Sequence, residues 1–317
     1  MRRREILAAW GAALTAASRR LPANKNVKWG LSLALWMHFK AVPVESIFDV
    51  MKDTGFTGVR LIGSPHLEKN WNTTAAHFEK ELHKRKLHAA AIAFSGPLHL
   101  AEQRAKVLED AKASLELLKG MGGKHMVLFS PGRLTKPGVD VRAAFHQFCE
   151  RCNQIGELAG TLGMTVGLHN HLDQMVEQGR EIDRFLGRTD AKLVGFSPDT
   201  AHLHLAGVNV VECLTKHKAR LRGAFDYKDA KWTTPETDFQ DGNGRIYKKD
   251  SRQARFLSSI YDLGDGEVNF TACHELLKSI GYQGWLCVDL DAARQGPRKS
   301  YERCGAYVVE KLEPIYK

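Results

Sequence analysis

No stretch of this 317-residue sequence holds the roughly 18 to 20 successive apolar residues that a membrane-spanning helix requires, so the chain is not expected to cross a bilayer. Nor is there a basic run interleaved with aromatic residues; the lysines and arginines are scattered over expected helix faces, which argues against a nucleic-acid partner. Without a Pro-, Gly- or Ser-rich linker or a low-complexity tract, nothing divides the chain into separate folding units. Cysteine is also poorly patterned. Of Cys149, Cys152, Cys213, Cys273, Cys287 and Cys304, only the first two form a C-x-x-C pair. That pair lies inside a helical pattern, with no second pair to complete a zinc site and no preceding strand to make a redox motif. Helix packing is its expected role.

What is present is a regular alternation of short apolar runs and amphipathic segments. Strands are expected at Val27 to Leu35, Gly58 to Ile62, Leu87 to Phe94, Lys124 to Phe129, Met164 to Leu168, Leu193 to Phe196, Arg222 to Phe225 and Trp285 to Val288. Helices are expected around Pro43 to Thr54, Ala75 to Arg85, Leu100 to Met121 and Val141 to Gly163. Eight strands alternating with helices specify a parallel sheet covered by helices, and that number favours closure into a single α/β domain, a (β/α)8 TIM barrel. A long irregular insertion from about Trp232 to Phe270 is expected between the last two strands.

Four successive strands end in a residue able to bind a metal or move a proton. The fifth runs into His169-Asn170-His171, the sixth into Ser197-Pro198-Asp199 with His202 three residues on, the seventh into Asp226-Tyr227-Lys228-Asp229, and the eighth into Asp289-Leu290-Asp291. In such barrels the carboxyl ends of the strands carry the chemistry. Each residue has a plainer reading as well, since an Asp at a strand-to-helix junction commonly caps free backbone N–H groups.

The first 23 residues read differently. Arg2, Arg3 and Arg4 precede an apolar run from Ile6 to Ala17, with Arg19 and Arg20 beyond it. This describes an export signal of twin-arginine type and a periplasmic destination, with residues 24–317 as the barrel. An amphipathic first helix on a cytoplasmic barrel is the alternative, and the two later arginines favour it. The formal net charge is +10, and residues 1–23 carry five arginines and one glutamate, so the remainder carries +6. A moderately basic body suits an acidic substrate.

The segments GLHNHLDQMVEQGREIDRFL (167–186), GFSPDTAHLHLAGVN (195–209), FDYKDAK (225–231), LGDGEVNF (263–270) and GYQGWLCVDLD (281–291) resemble the xylose-isomerase-like sugar phosphate isomerase/epimerase superfamily, the first two especially its inosose dehydratase and sugar epimerase branches. The resemblance implies one divalent cation, manganese, magnesium or similar, held between Glu, Asp, His and Glu at the ends of strands five to eight. Asp199 matches that pattern, as does His202 of D-x-x-H. His169 stands where many members have Glu, Asp226 takes the His position of H-x-K-D with Lys228 and Asp229 retained, and Asp289 replaces the last Glu. The implied metal set is thus His169, Asp199, Asp226 and Asp289, one nitrogen and three carboxylates suited to a hard cation.

The implied activity is isomerisation or epimerisation of a sugar or cyclitol by metal-assisted proton abstraction next to a carbonyl, with His169 and Asp289 at the proton-transferring positions and Lys228 beside them. A dehydratase-like lyase and a catalytically silent sugar-binding barrel, in which Asp226 pairs with Lys228 or another cation, are the alternatives. His202, Arg60, His171, Trp36 and Glu177 are candidate substrate contacts. Arg60 stands where the superfamily often has an acid, and it suits either an anionic substrate group or neutralisation of the site aspartates. Trp36, His38 and Phe94 read equally as packing at the barrel mouth, Gln174 is a further loop candidate, and Glu177 reads equally as a helix-start residue. A sugar or cyclitol is the expected partner, along with a second copy of the chain.

Overall fold

The computed structural model describes residue 21, residues 24–63 and residues 66–317. Apart from Leu21, the expected export signal lies outside the described residues. Eight parallel strands form the barrel: β1 Val27–Ser32, β2 Gly58–Ile62, β3 His88–Phe94, β4 His125–Phe129, β5 Thr165–His169, β6 Val194–Phe196, β7 Gly223–Tyr227 and β8 Gly284–Val288. Their order around the sheet is β6-β5-β4-β3-β2-β1-β8-β7, so β6 and β7 meet at the seam. No ladder joins them. Closure there rests on two isolated parallel bridges, Phe196 with Leu221 and Asp199 with Asp226.

The helices are α1 Val44–Asp53, α2 His66–Trp71, α3 Ala75–Lys84, α4 Arg104–Gly120, α5 Val141–Thr161, α6 Gly179–Arg188, α7 Thr200–Leu205, α8 Val210–Lys216, α9 Arg252–Ser258, α10 Phe270–Ser279 and α11 Pro297–Tyr307. Many start where the sequence supplies a cap: Thr74, Asp140, Asp199, Asn209, Ser251 and Asn269 each accept a hydrogen bond from a backbone N–H in the first turn. The first strand is shorter than expected, because residues 34–38 wind into a 3₁₀ turn. The insertion is less irregular than expected. It holds α9 and a small antiparallel pair, Phe239–Gln240 with Ile246–Tyr247, and its Ile260–Tyr261 pairs back antiparallel with Asp229–Ala230 just ahead of it.

Alternation along the strands sorts the barrel interior into layers. At the bottom, Ala91, Val127 and Ala224 form a small apolar cluster with Trp285 packed on it, and Phe129, two residues above Val127, packs on it from the side of His169. The Trp285 ring needs the space that Gly58 leaves: a Cβ at residue 58 would lie 2.4 Å from it. Two residues further up the same strands come Arg60, Asp226 and Cys287, and two further again Lys228 and Asp289. Strand parity therefore lifts the charged groups to the mouth while an apolar layer seals the floor.

His125 is buried near the seam, its Nδ1 2.7 Å from Thr165 Oγ1 and its Nε2 2.7 Å from Ser197 Oγ. Its ring also fixes residue 223 as glycine, with φ of +78° and no room for a Cβ. Burial pushes the imidazole pKa down from 6.5 to about 3. An unfolded chain therefore binds a proton below pH 6.5 that the folded one refuses. The contribution is fully present above that pH and is lost as pH falls toward 3, on the order of 5 kcal/mol if complete. Urea unfolding at stepped pH should show the midpoint dropping from pH 6.5 to 4, and His125→Asn should flatten that slope.

Asp229 holds the insertion in place. Its buried carboxylate accepts from the backbone N–H groups of Ala230, Val268, Gly264 and Gly266 at 2.8–3.1 Å. Asp229→Ala would orphan all four donors. A loss of roughly 3 kcal/mol or more is expected, with faster amide exchange at residues 264–268 in hydrogen–deuterium exchange.

Candidate active site

A compact group of buried charges fills the carboxyl ends of β5 to β8. Lys228, 2% exposed, places its Nζ 2.6 Å from Asp289 Oδ2, 2.8 Å from Asp291 Oδ2 and 3.0 Å from Asp199 Oδ2. Arg60, rising from β2, sets Nε 2.9 Å from Asp226 Oδ1 and Nη2 3.2 Å from Asp289 Oδ2. His169 lies between the two pairs, Nε2 3.9 Å from Asp199 Oδ2 and Nδ1 3.5 Å from Asp226 Oδ2. Asp226 therefore pairs with Arg60 rather than with Lys228. Of the two roles open to Arg60, neutralising the aspartates is the one its contacts fill.

Asp199 takes both of the roles its position suggested. Oδ1 caps α7 by accepting from His202 N at 3.0 Å, which leaves Oδ2 for the site. Its backbone is held in turn by Asn170, whose side-chain amide accepts from Asp199 N at 3.0 Å and donates to Asp199 O at 3.2 Å. Thr200 Oγ1 clasps the next strand, donating to Lys228 O at 2.8 Å and accepting from Lys228 N at 3.0 Å. Asn170, Thr200 and Asp291 escaped the reading of the sequence. The signal for Asn170 was its place between two histidines, and for Asp291 the second acid of the D-x-D that closes β8.

The electrostatics follow from burial and from this pairing. Burial raises Asp199 to about 6 despite the pull of Lys228. It raises Asp226 well above the carboxylate range, with Arg60 opposing and Asp289 and Asp199 adding to the rise. Burial acts the same way on Asp289, but Lys228 and Arg60 together overcome it and hold this carboxylate below the usual range. Lys228 is desolvated, yet Asp199, Asp289 and Asp291 keep it firmly protonated. Burial drives His169 and His202 well below the ordinary imidazole value, with neighbouring cations assisting, so both rings are neutral.

One nitrogen of His169 and one oxygen each of Asp199 and Asp226 lie within 4.8 Å of one another. Ligands about 2.1 Å from a common ion sit at most about 4.2 Å apart, so a small contraction would bring the three into coordination distance. Asp226 Oδ2 and His169 Nδ1 are buried without a hydrogen-bond partner, as donors awaiting a cation would be, whereas Asp226 Oδ1 faces Arg60 and Asp199 Oδ2 faces Lys228. The donor set fits a divalent ion. Asp289 stands outside this group of three, committed to Lys228 and Arg60.

Around the charges lies an aromatic wall. The His171 ring is 3.7 Å from His202, Phe256 of α9 stacks on His202 at 5.4 Å, and Phe129 lies 4.3 Å from His169. His171 Nδ1 is 2.7 Å from Leu172 O. A carbonyl can only accept, so Nδ1 carries the hydrogen and Nε2 is the basic nitrogen. The insertion that carries Phe256 is strapped across the mouth: His38 Nδ1 lies 3.2 Å from Asp241 Oδ2, Asn243 Nδ2 donates to Met37 O at 2.9 Å, and Lys40 N donates to Asn243 Oδ1 at 2.8 Å.

The remaining candidates sit apart from the charges. Trp36 is 1% exposed and packs on Phe39 and Tyr301. Glu177 accepts from Arg133 Nε at 3.1 Å and from Asp173 N at 2.8 Å. Gln174 Oε1 accepts from Ser130 Oγ at 3.2 Å.

Comparison with known proteins bears on the family and the fold. Residues 48–305 match the family described as xylose isomerase-like TIM barrel. An inosose dehydratase of Bacillus licheniformis is 33% identical over 143 residues, 45% of this chain and 45% of its own length, so the chain spans about half of that relative. An inosose dehydratase of Lactiplantibacillus plantarum is 25% identical over 311 residues, 92% of this chain and 98% of its own. A crystal structure of IOLI protein with a binding zinc atom shares the fold at a TM-score of 0.69 and 15% identity, covering 90% of this chain and 99% of that one. The alternation of strands and helices, the eight-stranded parallel sheet and the match over 258 residues lead to one conclusion: the chain belongs to the xylose isomerase-like TIM-barrel family.

Proposed function

We propose that this chain is a lyase that abstracts the proton next to a carbonyl of a keto-sugar or keto-cyclitol and expels water from the neighbouring carbon. The observation that carries the reading is the inequality of the available bases. Asp289 is held by two cations and is a poor proton acceptor, whereas His171, although burial and Lys228 lower its pKa, keeps an unpartnered nitrogen in a fixed tautomer. A site with one free base favours loss of water or isomerisation over epimerisation, which needs a base on each face. The names of the relatives, inosose dehydratases, favour loss of water.

A divalent cation held by His169, Asp199 and Asp226 would polarise the carbonyl and stabilise the negative charge that develops on its oxygen. Through one nitrogen His169 would then be committed as ligand, and its other nitrogen would carry hydrogen, so it is not the base. His171 Nε2 takes the proton, and the imidazolium so formed is the acid that delivers it to the departing hydroxyl. Lys228 stays protonated and keeps Asp199 and Asp289 aligned. Phe256 and the strapped insertion exclude water from the reacting carbon. The arginine-rich start of the chain supports the periplasm as the compartment of this reaction.

The test is incubation of manganese-loaded protein with an inosose and a panel of keto-hexoses in D2O. Expected is a product lighter by one water, with His171→Asn lowering the rate by roughly 10²–10⁴-fold while manganese binding is retained. An epimer labelled at the reacting carbon would transfer the assignment to an epimerase. Binding of the sugar with neither exchange nor product would mark a silent barrel.

A further inference from the structure

We propose that Arg60 competes with the divalent cation for Asp226 and thereby sets how tightly the site holds its metal. The inference rests on the reading that His169, Asp199 and Asp226 form the metal site. It goes beyond that reading by assigning to Arg60 a positioning and affinity-setting role that none of the three donors has.

Asp199, Asp226, Asp289 and Asp291 supply four carboxylates, and Lys228 and Arg60 supply two cations. With all four carboxylates ionised, the group is two charges short of neutrality, which one divalent ion makes up. Arg60 is 3% exposed, so water does little to screen it from Asp226.

Geometry makes Arg60 a competitor and not a permanent partner. Its Nε lies 2.9 Å from Asp226 Oδ1, yet neither atom is satisfied by an aligned hydrogen bond. The contact lacks the directed bonds that make a guanidinium–carboxylate pair hard to break. On its other side Asp226 turns Oδ2 toward His169 Nδ1 at 3.5 Å, and these two donors would hold the ion together with Asp199. Drawing Asp226 toward an ion therefore stretches the contact with Arg60, while the second anchor of Arg60, Asp289 at 3.2 Å, remains. Lys228 does not play this part. It grips Asp199 within a threefold carboxylate cage, and it touches no atom of Asp226 within ion-pair distance among the described residues.

The experiment is manganese titration by calorimetry of the full chain and of Arg60→Met, Arg60→Lys and Asp199→Asn. Removing the competing charge should tighten manganese by at least about tenfold in Arg60→Met, while Arg60→Lys, which keeps the charge, should stay within about threefold of the parent. An Arg60→Met affinity equal to or weaker than the parent's overturns the proposal. Should Arg60→Met fail to fold, the pair Asp289→Asn and Asp289→Asn/Arg60→Met asks the same question with the second carboxylate partner of Arg60 neutralised. The double variant should bind manganese more tightly than the single, and equal affinity overturns the proposal. Asp199→Asn separates the two ideas. Binding lost there but unchanged by Arg60→Met leaves the metal site standing and removes the role of Arg60. No binding in the parent but binding in Arg60→Met supports the competition outright, and no binding in any variant overturns both.

Discussion

The grip of one ammonium on three carboxylates is the interaction on which the rest of the mouth depends. Lys228 follows β7, and its partners Asp199, Asp289 and Asp291 follow β6 and β8, so a single Nζ ties together the ends of three neighbouring strands. Each of these groups would be expensive to bury alone, and together they are tolerable only because the distances are 2.6–3.0 Å. Removing one partner from such a group typically costs about 3–5 kcal/mol, because the others are then buried without compensation. The arrangement is weak evidence for stability. It is strong evidence that the geometry of the strand ends is fixed.

That geometry matters most where the sheet is weakest. Between β6 and β7 no ladder runs, and closure rests on the bridges at Phe196–Leu221 and Asp199–Asp226, with Asp226 N donating to Pro198 O at 2.9 Å. The residues that close the barrel are therefore the ones that bear the site. Asn170 reaches from β5 to hold the backbone of Asp199, and Thr200 holds that of Lys228 across the same gap. A short β6 of three residues leaves the following Ser-Pro-Asp free to leave the sheet direction and begin α7 with a carboxylate pointing inward. The seam gives up strand hydrogen bonds and gains a place where side chains from two strands converge.

Much of this was legible from the residues alone. β2 falls where the apolar run Gly58 to Ile62 placed it, and β3 to β8 fall within a residue or two, because short apolar runs bounded by polar residues leave few alternatives. The gathering of His169, Asp199, Asp226 and Asp289 was legible because each follows a strand end. Their pairing was not. Nothing in a sequence states that Arg60, more than 160 positions before Asp226, lies beside it, since that contact is created by closure of the barrel. Trp285 reads as the start of an apolar strand, but its place on the barrel floor depends on the missing side chain of Gly58 on another strand. Glu177 stood close in sequence to the histidines and was a candidate on that ground, yet the chain turns and delivers it to Arg133.

The insertion after β7 adds a constraint of another kind. His169, Asp199, His202 and Asp226 are at most 1% exposed, so a substrate reaches them only if something above them moves. What lies above is α9, through Phe256 on His202, and the hairpin of residues 239–247 fastened to residues 37–40. The base of this strap is firm, because Asp229 fixes residues 264–268 through three backbone hydrogen bonds and Gly266 admits no Cβ beside that carboxylate. Its far end is held by polar contacts that are partly or fully exposed, the kind that water replaces at little cost, and by Phe239 and Tyr247, partly buried against the core. Motion that admits a substrate is thus expected at the far end, about a fixed base. The ring that would lift with it is Phe256, the one that stacks on His202 beside His171 and closes the aromatic wall over the reacting groups.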